Sequence, residues 1–439
     1  MQTLAAAISG NRIRLQLQSG ASLVMGQSSG LSAILCADWG KASPKRTVYV
    51  ADVLARVVRR VGADGWSMGA VLREAERWTS LGPVLATFDA PLGVPESYLS
   101  AAASVPALGA PATFLEFLDR ARSVPHFFDR TSVATDWKVE RPFFAVPAGK
   151  GGLNSYRDVA ARHNVDLYRR IDKVTRAKTL FAKSGIPGSV GSATCALWQE
   201  LAPTLAAGRT FRVWPFEGDL HALLQSTPVV VGEIYPRAAY ATALLDLPAA
   251  SRPPLVVAKT DITVRRDAVG ALLATKWVRS VGVSIENLDE AEANEDDFDA
   301  CVTAAALLRC VLEGSLLCPA ELDSARAEGA MLGTGSVNLR LPLRTFGRPA
   351  RVRDVRGSRP AACRPLERVH HEVKVVHRPD GIKMFGCPIA GCDRVYRRSR
   401  GGWDGHVGSI RIHPRWHPEL PSADDRKRQF KIEFPGFFT

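Results

Sequence analysis

The chain has 439 residues, 46% of them apolar, and a formal net charge of +13; that is enough length for one large or two medium domains with a sizeable core. It contains no run of eighteen apolar residues, so no membrane-spanning helix and no membrane partner are expected. The opening MQTLAAAISGNRIRLQLQSG has no basic stretch leading into an apolar segment, so no signal peptide is expected and the location read is cytoplasmic, where thiols stay reduced.

In chain order, a 1–29 extension precedes the first strong strand, LSAILCAD, which ends at Asp38 and runs into the turn-like Trp39-Gly40-Lys41. TVYVADVLARVV reads as a strand continuing into a helix. VLATFDAPLGVP is a second buried strand ending in Asp89 and stopped by Pro91, Gly93 and Pro95. Residues 97–225 lack apolar strands and read as a largely helical insertion. Within it, 141–183 carries ten Lys/Arg against three Asp/Glu. Its segment RRIDKVTRAK suits either a nucleic-acid channel or a solvated helix face. GIPGSVG follows no clear strand and reads as a loop rather than a phosphate cradle. Phe143, Phe144, Trp198 and Trp214 are assigned to packing. PVVVGEIYP is a third strand, with Glu233 near its end. IENLDEAEANEDDFD then holds eight carboxylates and no base, and leads into the buried helix FDACVTAAALLRCVLEG. Acidic residues at a helix start are favoured by the macrodipole, so most of that run needs no function.

The positive charge is concentrated at one end. Residues 340–439 hold 22 Lys/Arg against 10 Asp/Glu, whereas the rest of the chain is nearly neutral. A cationic module on a neutral body points to a polyanionic partner, most often nucleic acid, or else to a solubilising tail. Residues 336–380 read as a basic linker, 381–420 as a zinc finger and 421–439 as a basic tail.

Six cysteines (Cys36, Cys195, Cys301, Cys310, Cys318 and Cys363) stand alone and read as small hydrophobes. Cys387 and Cys392 form a close pair with four residues between them. An aromatic, Tyr396, and a large apolar residue, Trp403, follow, and then His406 and His413. This is the layout of a ββα finger holding structural Zn²⁺. Six residues separate His406 from His413, one more than usual, so His417 stays open as the second histidine. A segment this small needs a metal to fold. Arg394, Arg397, Arg398, Arg400, Arg411 and Arg415 line it and suit nonspecific phosphate contacts.

Asp38, Asp89 and Glu233 each end an apolar strand and precede a turn. In an open α/β sheet such residues gather at the carboxyl edge, where ligands bind. Asp299 lies near the start of the late helix, with Asp296 one turn before it. Carboxylates meeting at one edge repel unless cations sit among them, which is the arrangement that holds Mg²⁺ or Mn²⁺ for phosphodiester hydrolysis. Lys41 or Lys259 is placed to neutralise charge there.

DWGK, FDAPLGVP, VGEIYPRAAY and DDFDACVTAAALLRCVLEG occur in the order found in a family of uncharacterised bacterial proteins catalogued as predicted RNase H-like nucleases. WPFEG, SGIPGSVGSAT and EGAMLGTGSV also resemble that family, and the likeness covers roughly 30–335. It implies an α/β ribonuclease-H-like domain: a mixed five-stranded sheet with flanking helices and an acidic metal site. By motif, Asp38 would lie on the first strand, Asp89 on a neighbouring one, Glu233 in the EIYP motif and Asp299 on the terminal helix, with Asp296 or Asp297 as helper. The finger lies outside the likeness. The leading expectation is a Mg²⁺- or Mn²⁺-dependent nuclease on DNA or RNA that grips substrate through the finger and tail. One alternative is a non-catalytic nucleic-acid-binding or adaptor protein. A third, an actin-like ATPase or kinase, would need a second phosphate loop that the sequence does not display.

Overall fold

The computed structural model describes residues 30–347, apart from 63–64, 148–151, 187–188, 206–207 and 316–327; outside that span it describes 14–16, 22–24, 375–377, 383–386, 395–396, Gln429 and Ile432. It divides into two units, Met1–Pro349 and Ala350–Thr439.

The first unit is built on a mixed eight-stranded sheet. Its strands are β1 (Ala33–Asp38), β2 (Thr47–Asp52), β3 (Val57–Val61), β4 (Val84–Phe88), β5 (Phe211–Val213), β6 (Val229–Ile234), β7 (Ser284–Ile285) and β8 (Met331–Leu332), in the order β7-β3-β2-β1-β4-β6-β8, with β5 also on β6. The meander β1-β2-β3 is antiparallel, while β4 runs parallel to β1 and β6 parallel to β4. Near-continuous apolar runs such as AILCA and VVV mark strands buried on both faces.

Successive residues face opposite sides of a strand, and the two cores follow that alternation. One face carries Ala33, Leu35, Val84, Ala86, Phe88, Val229 and Val231. It is covered by α1 (Met68–Glu76) and α3 (Gly191–Thr204), together with much of the insertion; the short helix α2 (Arg170–Thr175) lies between α1 and α3 in sequence. The other face carries Ile34, Cys36, Leu85, Val230 and Ile234. It is covered by α4 (Pro236–Leu244), α5 (Ile262–Ala274) and α6 (Glu295–Leu312). In α6 every residue from Asp297 to Cys310 is buried, because the helix packs on β1, β2 and α4 at once. Its small residues, Ala300 and Ala304–Ala306, permit that close approach.

Several expectations need correction. Residues 53–61 do not turn helical: Asp52 Oδ1 accepts the Ala55 N–H at 2.8 Å, Arg56 takes φ 59°, and the chain reverses into β3. Such Asx turns compete with helix. The insertion is not strand-free. Phe144–Ala145 pairs with Ala182–Ser184, and β5 joins the main sheet. The Gly-rich segment therefore does follow a short strand, with α3 beginning at Gly191. The connector begins later than 336, since Arg344–Thr345 pairs with Leu255–Val256. Phe143, Phe144, Trp198 and Trp214 are buried as expected, and so are Cys36, Cys195, Cys301 and Cys310; Cys318 and Cys363 lie outside the described residues.

The second unit, among the described residues, contains a three-stranded antiparallel sheet: β9 (Val375–His377), β10 (Lys383–Gly386) and β11 (Val395–Tyr396). Phe385 pairs with Tyr396 and Gly386 with Val395, so the chain between β10 and β11 is the stretch that holds Cys387 and Cys392. Among the described residues no helix is long and apolar enough to cross a membrane.

Candidate functional site

Asp38 is the last residue of β1, and Asp89 directly follows β4 on the neighbouring parallel strand. The Asp89 N–H donates to Ala37 O at 2.9 Å, which extends the ladder one step and sets the two side chains level. Asp299 reaches the same point from α6, whose start is capped by Asn294 accepting from the Asp296 N–H at 3.0 Å. One carboxylate oxygen from each of Asp38, Asp89 and Asp299 lies within 4.8 Å of the other two. Asp299 is buried, and Asp38 and Asp89 are half-buried.

Both oxygens of Asp299 are engaged. Tyr240 of α4 donates its hydroxyl to Oδ1, and the Lys259 ammonium donates to Oδ2. Of the two lysines suggested by the sequence, Lys259 is thus the one in the cluster, while the Lys41 side chain is exposed. Tyr240 was not anticipated. Its signal was a single phenol in the buried run AAYATAL, since a buried Tyr hydroxyl needs a partner.

The electrostatics match this crowding. Burial, then the charges of Asp299 and Asp89, push the Asp38 carboxyl well above the ordinary carboxylate range. Asp89 is pushed up to about 7, first by burial and then by Asp299. Burial also raises Asp299, against the opposing pull of Lys259 and Tyr240. For Lys259, burial works against the charge, but Asp299 and Asp38 outweigh it and hold the ammonium above its usual range. Like charges brought this close raise one another's affinity for protons, and a cation reverses the effect.

The structure does not bring Glu233 into this cluster. The registers Val231↔Ala86 and Glu233↔Phe88 place its side chain on the face of Phe88, opposite to that of Asp38 and Asp89. Ile234 occupies the corresponding place on the cluster's face. Glu233 is buried and taken up by Arg169: Nη1 donates to Oε2 and Nη2 to Oε1, each at 2.7 Å, and the Leu92 N–H adds a third bond at 2.7 Å. Arg169 also grips Asp172 and Leu92 O. The basic segment 169–178 is therefore anchored by a fully buried arginine rather than presenting that residue to solvent or nucleic acid. Asp296 is half-buried, with Lys259 and Lys45 as its neighbouring cations. Asp297 turns away to Arg60 at 2.6 Å and to the Asn294 amide at 3.1 Å.

The loop after Asp38 is pinned by Arg46, which stacks 3.8 Å over Trp39 and donates to Gly40 O, Trp66 O and Glu200 Oε1. Cys387, Cys392, His406, His413 and His417 lie outside the described residues, as do Arg397, Arg398, Arg400 and Arg411. Compared with family models, curated proteins and solved structures, the chain matches none.

Proposed function

We propose that the chain is a divalent-cation-dependent nuclease hydrolysing phosphodiester bonds of DNA or RNA at the Asp38–Asp89–Asp299 cluster. The observation that carries this reading is the convergence of three aspartates from β1, β4 and α6, elements far apart in sequence, at one end of a sheet. Burying mutually repelling carboxylates costs stability, and a hard cation with oxygen ligands offsets that cost. The donor set fits Mg²⁺ or Mn²⁺: among the described residues no side-chain or backbone donor bonds the carboxylates of Asp38 and Asp89, and Asp299 is oriented by Tyr240 and Lys259. Such an ion, when bound, supplies charge neutralisation to a phosphodiester and acidifies an attacking water. The chain's own residues orient the carboxylates, exclude solvent beneath them and hold a positive charge beside them.

A ribonuclease-H-like fold is part of the proposal. Five strands of five or six residues (β1, β2, β3, β4 and β6) form one mixed sheet between helices, as the motif resemblance implies. Structural Zn²⁺ at Cys387, Cys392, His406 and either His413 or His417, with the neighbouring arginines on phosphates, would supply nucleic-acid affinity. The antiparallel pairing of β10 with β11 around the thiol pair supports that reading.

The Lys259–Asp299 ion pair favours one second reading, a nucleic-acid-binding scaffold without catalysis, because it partly neutralises the cluster with no ion bound. The test is incubation of the zinc-loaded protein with labelled single- and double-stranded DNA and RNA in Mg²⁺ or Mn²⁺, beside Asp38→Ala. Cleavage that the variant loses supports the nuclease. Binding without cleavage under any condition supports the scaffold.

A further inference from the structure

Four basic residues follow Arg169 within nine positions: Arg170, Lys173, Arg176 and Lys178. The helical period of α2 turns Ile171, Asp172 and Thr175 inward and leaves Arg170 and Lys173 outside. Arg176 is exposed and Lys178 half-buried just beyond the helix. The two acids close by are engaged, Asp172 by the buried Arg169 and Asp166 by Lys173. Among the described residues, Arg170, Arg176 and Lys178 have no ion-pair partner.

The fold fixes where these charges stand. Arg169 reaches from the segment to Glu233 at the end of β6, and to Leu92 O at 2.8 Å, three residues past Asp89. The Arg170 N–H donates to Glu328 Oε2 at 2.6 Å, and the other oxygen of that buried carboxylate accepts the Glu96 N–H at 3.0 Å. Thr179 closes the segment by donating its hydroxyl to Leu167 O at 2.7 Å. Ile171 belongs to the apolar cluster of Ile234, on the sheet face that holds Asp38 and Asp89. Tyr235, the residue after Ile234, joins the segment to the site. Its phenol is pushed up to about 12, first by burial, with Arg237 opposing and both Asp89 and Asp172 adding to the rise. One side chain thus stands within reach of an acid of the cluster and an acid of α2. A solvated basic face needs no such fixture. Burying a guanidinium costs desolvation, and the buried one here holds its basic neighbours on the Asp89 side of the cluster.

We propose that Arg170, Arg176 and Lys178 bind the sugar–phosphate backbone of a nucleic-acid strand whose path crosses the aspartate cluster, so that the first unit grips substrate by itself. This rests on the nuclease reading above for its substrate class and adds a binding surface to it. Guanidinium forks and a lysine point charge both suit phosphate oxygens.

The test is the salt dependence of binding by the full chain, zinc retained, to labelled single-stranded DNA, single-stranded RNA and duplex DNA, without Mg²⁺ or Mn²⁺. Wild type is compared with Arg170→Gln/Arg176→Asn/Lys178→Gln, where Asn suits the left-handed backbone of position 176 (φ 58°). The control, Arg73→Gln/Lys276→Gln/Arg279→Gln, removes the same charge from exposed residues on α1 and on the helix Lys276–Val281, which lead to the starts of β4 and β7 at the other end of the sheet. Each phosphate contact contributes about 0.7 to 0.9 to the slope of log K against log salt. The expected slope is shallower by about two to three in the first triple variant and unchanged in the control. No change in the first, or an equal change in both, overturns the inference. A second measurement needs only wild type: acetylation of lysines, read by mass spectrometry with and without bound nucleic acid. Lys178 is expected to be protected while Lys276 stays reactive, and a Lys178 equally reactive in both states overturns the inference even if the triple variant fails to fold. Either overturning result leaves the nuclease reading to its own cleavage assay. A shallower slope in a protein that never cleaves keeps this surface and removes the nuclease reading. A wild type that binds none of the three nucleic acids removes both.

Discussion

Arg169 binds Glu233 edge to edge, with two parallel 2.7 Å bonds between groups that are both buried. The same arginine reaches Asp172 and Leu92 O, so one side chain joins β6, α2 and the loop after β4 that begins with Asp89. Removing one partner of a buried ion pair leaves an uncompensated charge. Arg169→Met is expected to lower unfolding stability by about 3–5 kcal/mol, read from urea denaturation midpoints. Glu233→Gln keeps the shape and one acceptor, so it should cost less than Arg169→Met.

The aspartate cluster has a signed pH dependence. Asp89 is raised to about 7 in the folded state by burial and by Asp299. A group raised in this way contributes stability in full below its unfolded value, near 3.9, and loses it as pH rises through about 7. The metal-free protein should therefore melt at progressively lower temperature between those two values, and Asp89→Asn should flatten that limb. A calorimetric melting series across this range, in chelator that spares zinc, reads the effect.

Divalent binding runs the other way, because its ligands must be deprotonated. Below pH 7, Mn²⁺ affinity should fall by about tenfold or more per unit, since Asp89 protonates there and Asp38, also raised, must give up its proton as well. A Mn²⁺ titration at three pH values checks this. An affinity indifferent to pH would place the ion on other ligands.

Asp38→Asn removes one of three mutually repelling charges. In the absence of divalent ions this variant should melt at or above the wild-type temperature, whereas in saturating Mn²⁺ the order should reverse, since only the wild type gains binding energy. Paired melting curves with and without Mn²⁺ give both readings.

The second unit makes a separate prediction. Purified chain should carry one Zn²⁺, measured by atomic absorption, and Cys387→Ser should lose it. Salt-sensitive binding to nucleic acid should weaken with it, since phosphate contacts dominate such affinity.

Much of the main architecture was legible because it rests on local signals. Apolar runs closed by Asp, Gly and Pro mark β1, β4 and β6, and α6 follows an acidic start and an alanine-rich stretch. The hidden features depend on parity and on long-range partners. Glu233 differs from the cluster residues by one position in strand register, and one position reverses the face. Arg169 sits in a basic run that resembles a solvated helix face, and only the folded chain brings it to Glu233 across 64 residues of sequence. Tyr240 and Lys259 reach Asp299 from comparable distances along the chain, 59 and 40 residues. The hairpin at β2–β3 was missed because a single Asx turn decided against helix.

The most direct test of the account compares divalent-dependent cleavage by wild type, Asp38→Asn and Glu233→Gln, side by side and at a temperature where all three are folded. Asp38→Asn is expected to lose about a thousandfold or more, the several kcal/mol that a catalytic ion supplies, while Glu233→Gln stays within about tenfold of wild type. Cleavage that survives in Asp38→Asn, or that Glu233→Gln abolishes as completely, would contradict it.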